Sequence, residues 1–208
     1  MPQQDRAIKT RQLLLDAAAV EFDVNGYVRT RLADIASRAG VTRGSLYFHF
    51  DSKAEVASAL AMHQYAQWAD YVPARRAGGY RGLRLLMLFA HDLTLGFRDD
   101  VASRSAVALI KESRQIDAEL PMPYQGWIEQ VAELLKEASA DGELGAHVDI
   151  DDAAWLIVAN LFGVQDMGDQ LEQRQGICER LDSLWLYLLP GLGVTEADRY
   201  VAEVIAAA

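Results

Sequence analysis

Apolar residues recur at helical spacing along almost the whole chain, and no segment shows the strict alternation that is typical of a strand. The first helix is expected over roughly 5–24, with Leu14 and Phe22 on one side and a stop at Asn25-Gly26. About ten helices are predicted, separated by glycine, proline or aspartate. The later ones are expected near 81–98, 101–116, 123–140, 151–170, 175–189 and 195–206.

Residues 30–53 read TRLADIASRAGVTRGSLYFHFDSK and predict two short amphipathic helices around a sharp turn. Thr30 is placed to cap the first helix, Gly40 permits the turn, and Thr42 is placed to cap the second. A pair of this kind is typical of a helix-turn-helix, whose second helix enters the major groove of DNA. The positions expected to pack the helices together are Ala36, Val41, Leu46 and Phe50.

The second helix of this pair also carries groups that suit DNA. Arg43 is long and bidentate enough to read guanine O6 and N7, and Gly44 lets a backbone approach closely. Tyr47 and His49 project polar tips, and Lys53 lies where the amide N–H groups of the next helix also favour a phosphate. We therefore assign base specificity to Arg43 and positioning to the other three side chains. Each of these residues alone also fits an aromatic patch in a helical core.

The segment SKAE at 52–55 predicts a capping box that opens a long fourth helix, which Pro73 is expected to end. This helix would link a helix-turn-helix domain at 1–52 to a larger helical domain at 53–208. The length of 208 residues fits such an arrangement, in which residues 1–52 form a small head and residues 53–208 a larger body.

The net charge of −10 at first argues against a nucleic-acid partner, because affinity for DNA comes largely from lysine and arginine on phosphates. The distribution of charge changes that conclusion. Residues 1–60 carry eight Lys and Arg against seven Asp and Glu, whereas residues 61–208 carry twelve against twenty-three. The acidity belongs to the body, which would leave only the head able to dock on DNA.

Composition places the chain among folded proteins, since 51% of its residues are hydrophobic and 24% are charged. No apolar run reaches about 18 residues and the N-terminus is polar, so we expect a cytoplasmic protein without a membrane partner. Cys178 is the only cysteine, which excludes an internal disulfide.

An enzyme is the chief rival class, and its usual signatures are missing. The four histidines have no metal-ligand spacing, and no HExxH, GxSxG or glycine-rich phosphate loop occurs. The neighbours His91 and Asp92 would point about 100 degrees apart on a helix, so they do not form an acid-base couple. We therefore predict no enzymatic activity, catalytic residue, metal or cofactor.

Two later helices carry more apolar surface than one core needs. Residues 153–164 are apolar on nearly every side, and the helix at 175–189 has an unusually broad apolar face. This excess predicts a homodimer through the helices near 151–170 and 175–189, in which each subunit contributes two helices to a four-helix bundle. The alternative is that both helices lie in the middle of one monomeric body.

Residues from about 8 to 60, notably GYVRTRLADIASRAGVTRGSLYFHFDSK, resemble the DNA-binding domain of the tetracycline-repressor-like (TetR) family of bacterial transcription regulators. The resemblance implies an all-α homodimer with an N-terminal three-helix helix-turn-helix domain and a C-terminal ligand-binding and dimerisation domain. It also implies a phosphate contact at Thr30. Arg31 stands where many relatives have a small residue, and it either adds a phosphate contact or is merely solvated. The expected DNA-binding residues are Thr30, Arg31, Thr42, Arg43, Gly44, Ser45, Tyr47, His49 and Lys53.

The segments PMPYQGWIEQVAELL and DIDDAAWLIVANLFGVQDM resemble the effector domain of the γ-butyrolactone receptor branch, which controls antibiotic production in streptomycetes. That branch has a pocket tryptophan where this chain has Trp127, whereas helical spacing alone places Trp127 in a core stripe with Tyr124 and Val131. Leu161 replaces the threonine that some receptors have near the ligand. The expected effector-binding residues are Gln64, Trp127, Gln130, Val131, Asn160, Leu161 and Gln165.

Apolar helices with isolated polar groups fit a lactone, butenolide or furan that carries an alkyl tail. The expected function is therefore a repressor that binds double-stranded operator DNA and is released by a small hydrophobic signalling molecule controlling antibiotic production. The alternative is a TetR-like repressor of a multidrug efflux gene with a larger and more promiscuous pocket.

Overall fold

The computed structural model describes residues 2–207, with side chains from residue 4 onward. Every regular element in this range is helical, so the predicted all-α fold is confirmed. A 3-10 turn at Ser113–Gln115 follows α7. The α-helices are α1 (Pro2–Arg29), α2 (Leu32–Arg38), α3 (Arg43–His49), α4 (Lys53–Ala69), α5 (Tyr71–Ala77), α6 (Gly82–Asp99), α7 (Val101–Lys111), α8 (Pro123–Ala140), α9 (Ile150–Glu172), α10 (Ile177–Gly191) and α11 (Ala197–Ala207).

The helix ends agree with the sequence patterns in most places and differ in two. Gly26 has φ 71° and breaks α1 near the expected stop, although helical turns resume to Arg29. The prediction that Pro73 ends the fourth helix is wrong, because α4 ends at Ala69 and Pro73 lies in the first turn of α5. A proline is tolerated there because the first N–H groups of a helix have no intrahelical partner. The segment expected as one helix over 101–116 divides into α7 and the 3-10 turn.

The helices pack as two compact units, Met1–Gln67 with Asp99–Pro121 and Trp68–Arg98 with Met122–Ala208. The first unit therefore contains α1 to α3, most of α4 and all of α7. The predicted functional boundary between residues 52 and 53 stays a prediction. The packing divides the chain elsewhere, because the first unit extends to Gln67 and includes Asp99–Pro121.

Each unit has its own hydrophobic core. In the first unit Phe22, Ile35 and Leu46 are almost fully buried, and Leu109 of α7 packs in the same cluster. The second unit buries a larger set, which draws on α6, α8, α9, α10 and α11 and includes Trp185. Burial of this apolar surface is the main force that holds each unit together. Along the described residues, no helix combines the length and hydropathy of a membrane-spanning segment.

Candidate DNA-binding surface and aromatic site

The turn before α3 fixes the orientation of this helix. Gly40 has φ 67°, a left-handed conformation that favours glycine, and the Val41 N–H donates to the Ala36 carbonyl oxygen at 3.0 Å. The Thr42 hydroxyl then accepts from the Ser45 N–H at 3.2 Å, which confirms the predicted cap of α3. On the inner side of the pair, the packing residues Ala36, Leu46 and Phe50 are at most 2% exposed.

The outer side of α3 carries most of the expected DNA-binding residues. Thr42, Arg43, Gly44 and Tyr47 are exposed, whereas Ser45 and His49 are half-buried. Because α3 is fixed from behind and exposed in front, its outward side chains can meet a ligand without disturbing the core. The set of expected residues omitted Phe48, although this side chain is also exposed.

Thr30 departs from both roles that the sequence suggested. The residue is 2% exposed, and its hydroxyl donates to the carbonyl oxygens of Glu21 at 3.0 Å and Gly26 at 2.8 Å. The N-cap of α2 is Arg31, without a side-chain capping bond, so the predicted Thr30 cap is wrong. The inward hydroxyl stabilises the kink at the end of α1, and we leave Thr30 out of the DNA surface.

Lys53 is also held by the protein itself. Its Nζ donates to the carbonyl oxygens of Tyr27 at 2.7 Å, Thr30 at 3.1 Å and Val28 at 3.2 Å, and it lies 4.2 Å from the Tyr27 ring centroid. Burial lowers the pKa of the Lys53 ammonium, and nearby Glu112 opposes that shift. The expected role as a freely available phosphate ligand therefore needs correction, because all three N–H donors of the ammonium already have acceptors.

The segment at 26–30 has a further tie that sequence reasoning missed. Glu112, the residue after α7, accepts from the Tyr27 N–H through its carboxylate at 3.3 Å. Arg104 of α7 also forms an ion pair with Asp23 of α1, at 3.2 Å. No local signal reveals these contacts, because about eighty residues of chain separate the partners. They hold the end of α1, from which the helix-turn-helix begins.

A polar groove of about 890 Å³ lies beside α2. The exposed Arg31 lines it, and the Arg38–Glu21 ion pair at 2.6 Å borders it. The groove mixes cationic and acidic groups, since Arg29 and Asp34 line it as well. The phosphate contact expected at Arg31 therefore stays a prediction, compatible with an exposed guanidinium.

The second unit brings three aromatic side chains together around Trp127. The Trp127 ring centroid lies 5.3 Å from that of Phe162, 5.4 Å from that of Trp68 and 6.1 Å from that of Tyr124. Tyr124 and Phe162 are themselves 4.9 Å apart, and burial raises the pKa of the Tyr124 hydroxyl. Offset and edge-on rings at such distances attract one another. The end of α4 and the helices α8 and α9 thus meet at one aromatic site.

Sequence reasoning found Trp127 and the stripe that contains Tyr124 but did not select Trp68 or Phe162. One usable signal was present: Trp68 follows Gln64 by four residues, so both lie on one face of α4. Phe162 gave no such signal, since it lies in an apolar run where every residue looks like core.

The other expected effector-binding residues differ in what they do. Val131 and Leu161 are buried core residues, Gln130 is half-buried, and Gln165 is 7% exposed. The Asn160 amide donates to the Leu156 carbonyl oxygen of its own helix at 2.7 Å, so it offers a ligand at most its own oxygen.

Gln64 packs in the first unit, where its amide donates to the Ser103 hydroxyl at 2.9 Å. Its side-chain oxygen is buried and accepts no hydrogen bond from the residues that the structure describes. A buried acceptor in this state is costly, which makes Gln64 the most unusual polar residue of the expected set.

The acid-base couple and the metal site that the sequence analysis considered can be compared with the structure. Asp92 forms a bidentate pair with Arg75, at 2.6 Å and 2.8 Å, so it has no role as a partner of His91. Among residues 2–207, no cluster of three His, Cys, Asp or Glu side chains is arranged to hold a metal ion.

Two family models match the chain. Residues 14–60 match the bacterial regulatory proteins of the tetR family, and residues 80–194 match the tetracyclin repressor-like C-terminal domain. The chain belongs to the TetR family of bacterial regulatory proteins. Its family and its relatives are transcriptional regulators, and within the family it is similar to receptors of the γ-butyrolactone branch.

Three relatives support this placement. The A-factor receptor protein of Streptomyces griseus is 30% identical over 192 residues, which cover 92% of this chain and 67% of that protein. A solved γ-butyrolactone receptor, described as ArpA-like, is 29% identical with a TM-score of 0.83 over 97% of both chains. CprB from Streptomyces coelicolor, solved in complex with its operator sequence, is 29% identical with a TM-score of 0.85 over 97% of both chains.

Proposed function

We propose that this protein is a homodimeric repressor that leaves its operator when a small γ-butyrolactone, butenolide or furan-like signal binds near Trp127. The observation that carries the DNA half is the outer face of α3, where Arg43, Gly44 and Tyr47 are exposed on a helix fixed from behind. Such a helix fits the major groove, and Arg43 has the donors to read a guanine. The operator complex of CprB adds support from a relative of the same fold.

The acidic body favours this mode of docking. Residues 61–208 carry twelve Lys and Arg against twenty-three Asp and Glu, so DNA is repelled from most of the surface. Only the nearly neutral head can approach phosphates closely. Non-specific binding is therefore weak, and recognition depends on the outer face of α3.

Dimerisation is proposed through α9 and α10, which expose large apolar side chains in the second unit. Trp155 is 56% exposed, Tyr187 is 84% exposed and Leu186 is 37% exposed. Large exposed apolar side chains on two helices that pack together fit a surface that a partner covers. A symmetric dimer would present two copies of α3 to the two halves of a palindromic operator.

The effector half of the proposal rests on Trp127 and the three aromatic residues around it. Ligand sites are mostly apolar and carry a few polar groups for orientation, and the half-buried Gln130 and the Tyr124 hydroxyl supply such groups here. The A-factor receptor and the γ-butyrolactone receptor are relatives over most of this chain. A lactone-like signal with an alkyl tail is therefore the favoured ligand class, and control of antibiotic production the favoured role.

Release would act through α4. This helix supplies Val56 and Leu60 to the core of the first unit and Trp68 to the aromatic cluster. A ligand that shifts α4 changes the spacing of the two heads, which then no longer match the operator. The ligand must shift the protein from almost entirely the DNA-binding conformation to almost entirely the conformation that does not bind DNA. For this shift it must favour the non-binding conformation by about 5.5 kcal/mol.

The test starts with an operator selected from random DNA by the purified protein, followed by fluorescence anisotropy with and without a synthetic alkyl γ-butyrolactone. Sequence-specific binding and release at low ligand concentration are expected. Release by diverse cationic drugs and not by the lactone would favour the efflux alternative. Failure to select any sequence would refute the DNA half.

The dimer is tested separately by sedimentation of Tyr187→Ala and Trp155→Ala. Both variants are expected to dissociate at higher protein concentration than the parent and to lose operator affinity in parallel. Ile205→Ala is the matched control, because Ile205 is 52% exposed but lies on α11. Parent-like dimerisation in both interface variants would rule out this face.

A further inference from the structure

Phe48 presents an unusual surface on α3. Its side chain is 79% exposed, whereas Leu46 and Phe50 on either side are 1% and 2% exposed. The ring meets the His49 ring edge-on, with centroids 5.1 Å apart, and among the described residues it belongs to neither hydrophobic core. An aromatic ring left in water gives up the free energy of its own burial, so a bound partner that covers it would gain affinity.

The neighbours of Phe48 identify the side on which that partner lies. Gly44, Tyr47 and Phe48 stand at i, i+3 and i+4 and share one face of α3. Gly44 leaves open space beside the ring, since a Cβ built there would have only the Thr42 Oγ1, at 3.9 Å, within reach. Arg43, Gly44 and Phe48 are all exposed, on the side of α3 that docks on DNA in the proposed function.

A phenyl ring cannot hydrogen-bond a phosphate or the polar edge of a base. The apolar group that the major groove displays is the C5-methyl group of thymine, and phenylalanine is among the side chains that contact it. We propose that Phe48 is a specificity-determining residue that packs on a thymine methyl group of each operator half-site. Arg43 supplies the polar part of the readout, and Phe48 supplies the apolar part. This inference rests on the proposed function, because it requires α3 to enter the major groove.

The experiment replaces thymine by deoxyuridine, one position at a time, in one half of the selected operator. Deoxyuridine keeps the base pair and lacks only the methyl group. The parent protein should bind about three- to five-fold more weakly at one position, which corresponds to the loss of about one buried methyl group. Phe48→Ala should bind thymine and deoxyuridine equally at that position, and Phe48→Leu should retain part of the difference.

Leu13→Ala is the matched control, because Leu13 is a 52% exposed apolar residue of α1 in the same unit. It should keep the full response to deoxyuridine. The inference is overturned if the parent ignores deoxyuridine at every position, or if Phe48→Ala keeps the parent's response while all its affinities fall alike. The second pattern would assign Phe48 to the sugar-phosphate backbone. In both cases specific operator binding by the parent would leave the proposed function intact, whereas loss of all specific binding by the parent would refute that function first.

Discussion

The outer face of α3 and the aromatic site around Trp127 are built in opposite ways. The first draws its groups from the seven residues of one short helix and exposes them. The second collects rings from α4, α8 and α9 and partly buries them against one another. A surface site needs local sequence and a rigid support, whereas an internal site exists only once distant helices have packed. Substitutions on the outer face of α3 should therefore change DNA recognition without changing stability. Substitutions at the aromatic site should change stability and the response to the effector.

The largest effect is expected from the internal site. Trp127→Ala should lower the free energy of unfolding by up to about 3 kcal/mol, the low end for truncation of a large ring, because Trp127 is only partly buried. Urea denaturation measures this loss, and anisotropy should show parent-like operator binding without release by the lactone. Trp127→Phe keeps a ring and serves as control, with a milder loss in both assays. A variant that is stable and still fully released would remove Trp127 from the effector site.

A substitution on the exposed face of α3 should change DNA recognition and leave the stability unchanged. Arg43→Ala should reduce discrimination at one base position by about 1–3 kcal/mol, as expected for the loss of one bidentate contact to guanine. The free energy of unfolding should not change, since Arg43 is exposed. Binding to a panel of operator variants measures the discrimination, and Arg114→Ala, also exposed, is the control. Uniform weakening on every operator variant would make Arg43 a phosphate contact instead.

Lys53 belongs to neither class of site. It lies in the segment that was expected to bind DNA, but its ammonium group donates to carbonyl oxygens of the protein's own main chain. Lys53→Ala removes three hydrogen bonds from a charged donor, and we expect about 1.5 kcal/mol of stability to be lost. Urea denaturation checks this, with the exposed Lys136→Ala as control for loss of a lysine. If instead the stability is unchanged and the salt slope of DNA binding falls by about one, Lys53 is a phosphate contact after all.

The smallest effect concerns Asp182 of α10. Burial raises the pKa of this carboxyl, His91 opposes the shift and Glu179 adds to it. The pKa of Asp182 is higher in the folded protein than in the unfolded chain, so at pH values between the two the folded protein binds the proton more tightly. The free energy of unfolding therefore declines as the pH rises from the unfolded-state pKa through the folded-state pKa. Asp182→Asn should therefore stabilise the protein at neutral pH by less than about 1 kcal/mol, since partial exposure screens the charge. Thermal unfolding from acidic to neutral pH measures it, and an unchanged pH profile would contradict the assignment.

Sequence patterns determined the parts of this protein that depend on neighbours along the chain. The periodicity gave nearly all the helices, and glycine and hydroxyl residues at the turn gave the cap at Thr42 and the bend at Gly40. These features follow from backbone sterics and from hydrogen bonds spanning a few residues, which any local segment carries with it. For the same reason, the exposed polar side of α3 was predictable.

Tertiary structure alone decided which partners polar and aromatic side chains find in segments far away along the chain. Thr30 and Lys53 look like surface ligands in the sequence, yet both donate to main-chain carbonyl oxygens near the end of α1. Glu112, the residue after α7, reaches the same segment, and Phe162 meets Trp127 from another helix. A hydrogen-bonding or apolar side chain has the same appearance in the sequence whether its partner is water, DNA or the protein. Only the folded chain fixes which partner is within reach, because buried polar groups must be satisfied where packing leaves them.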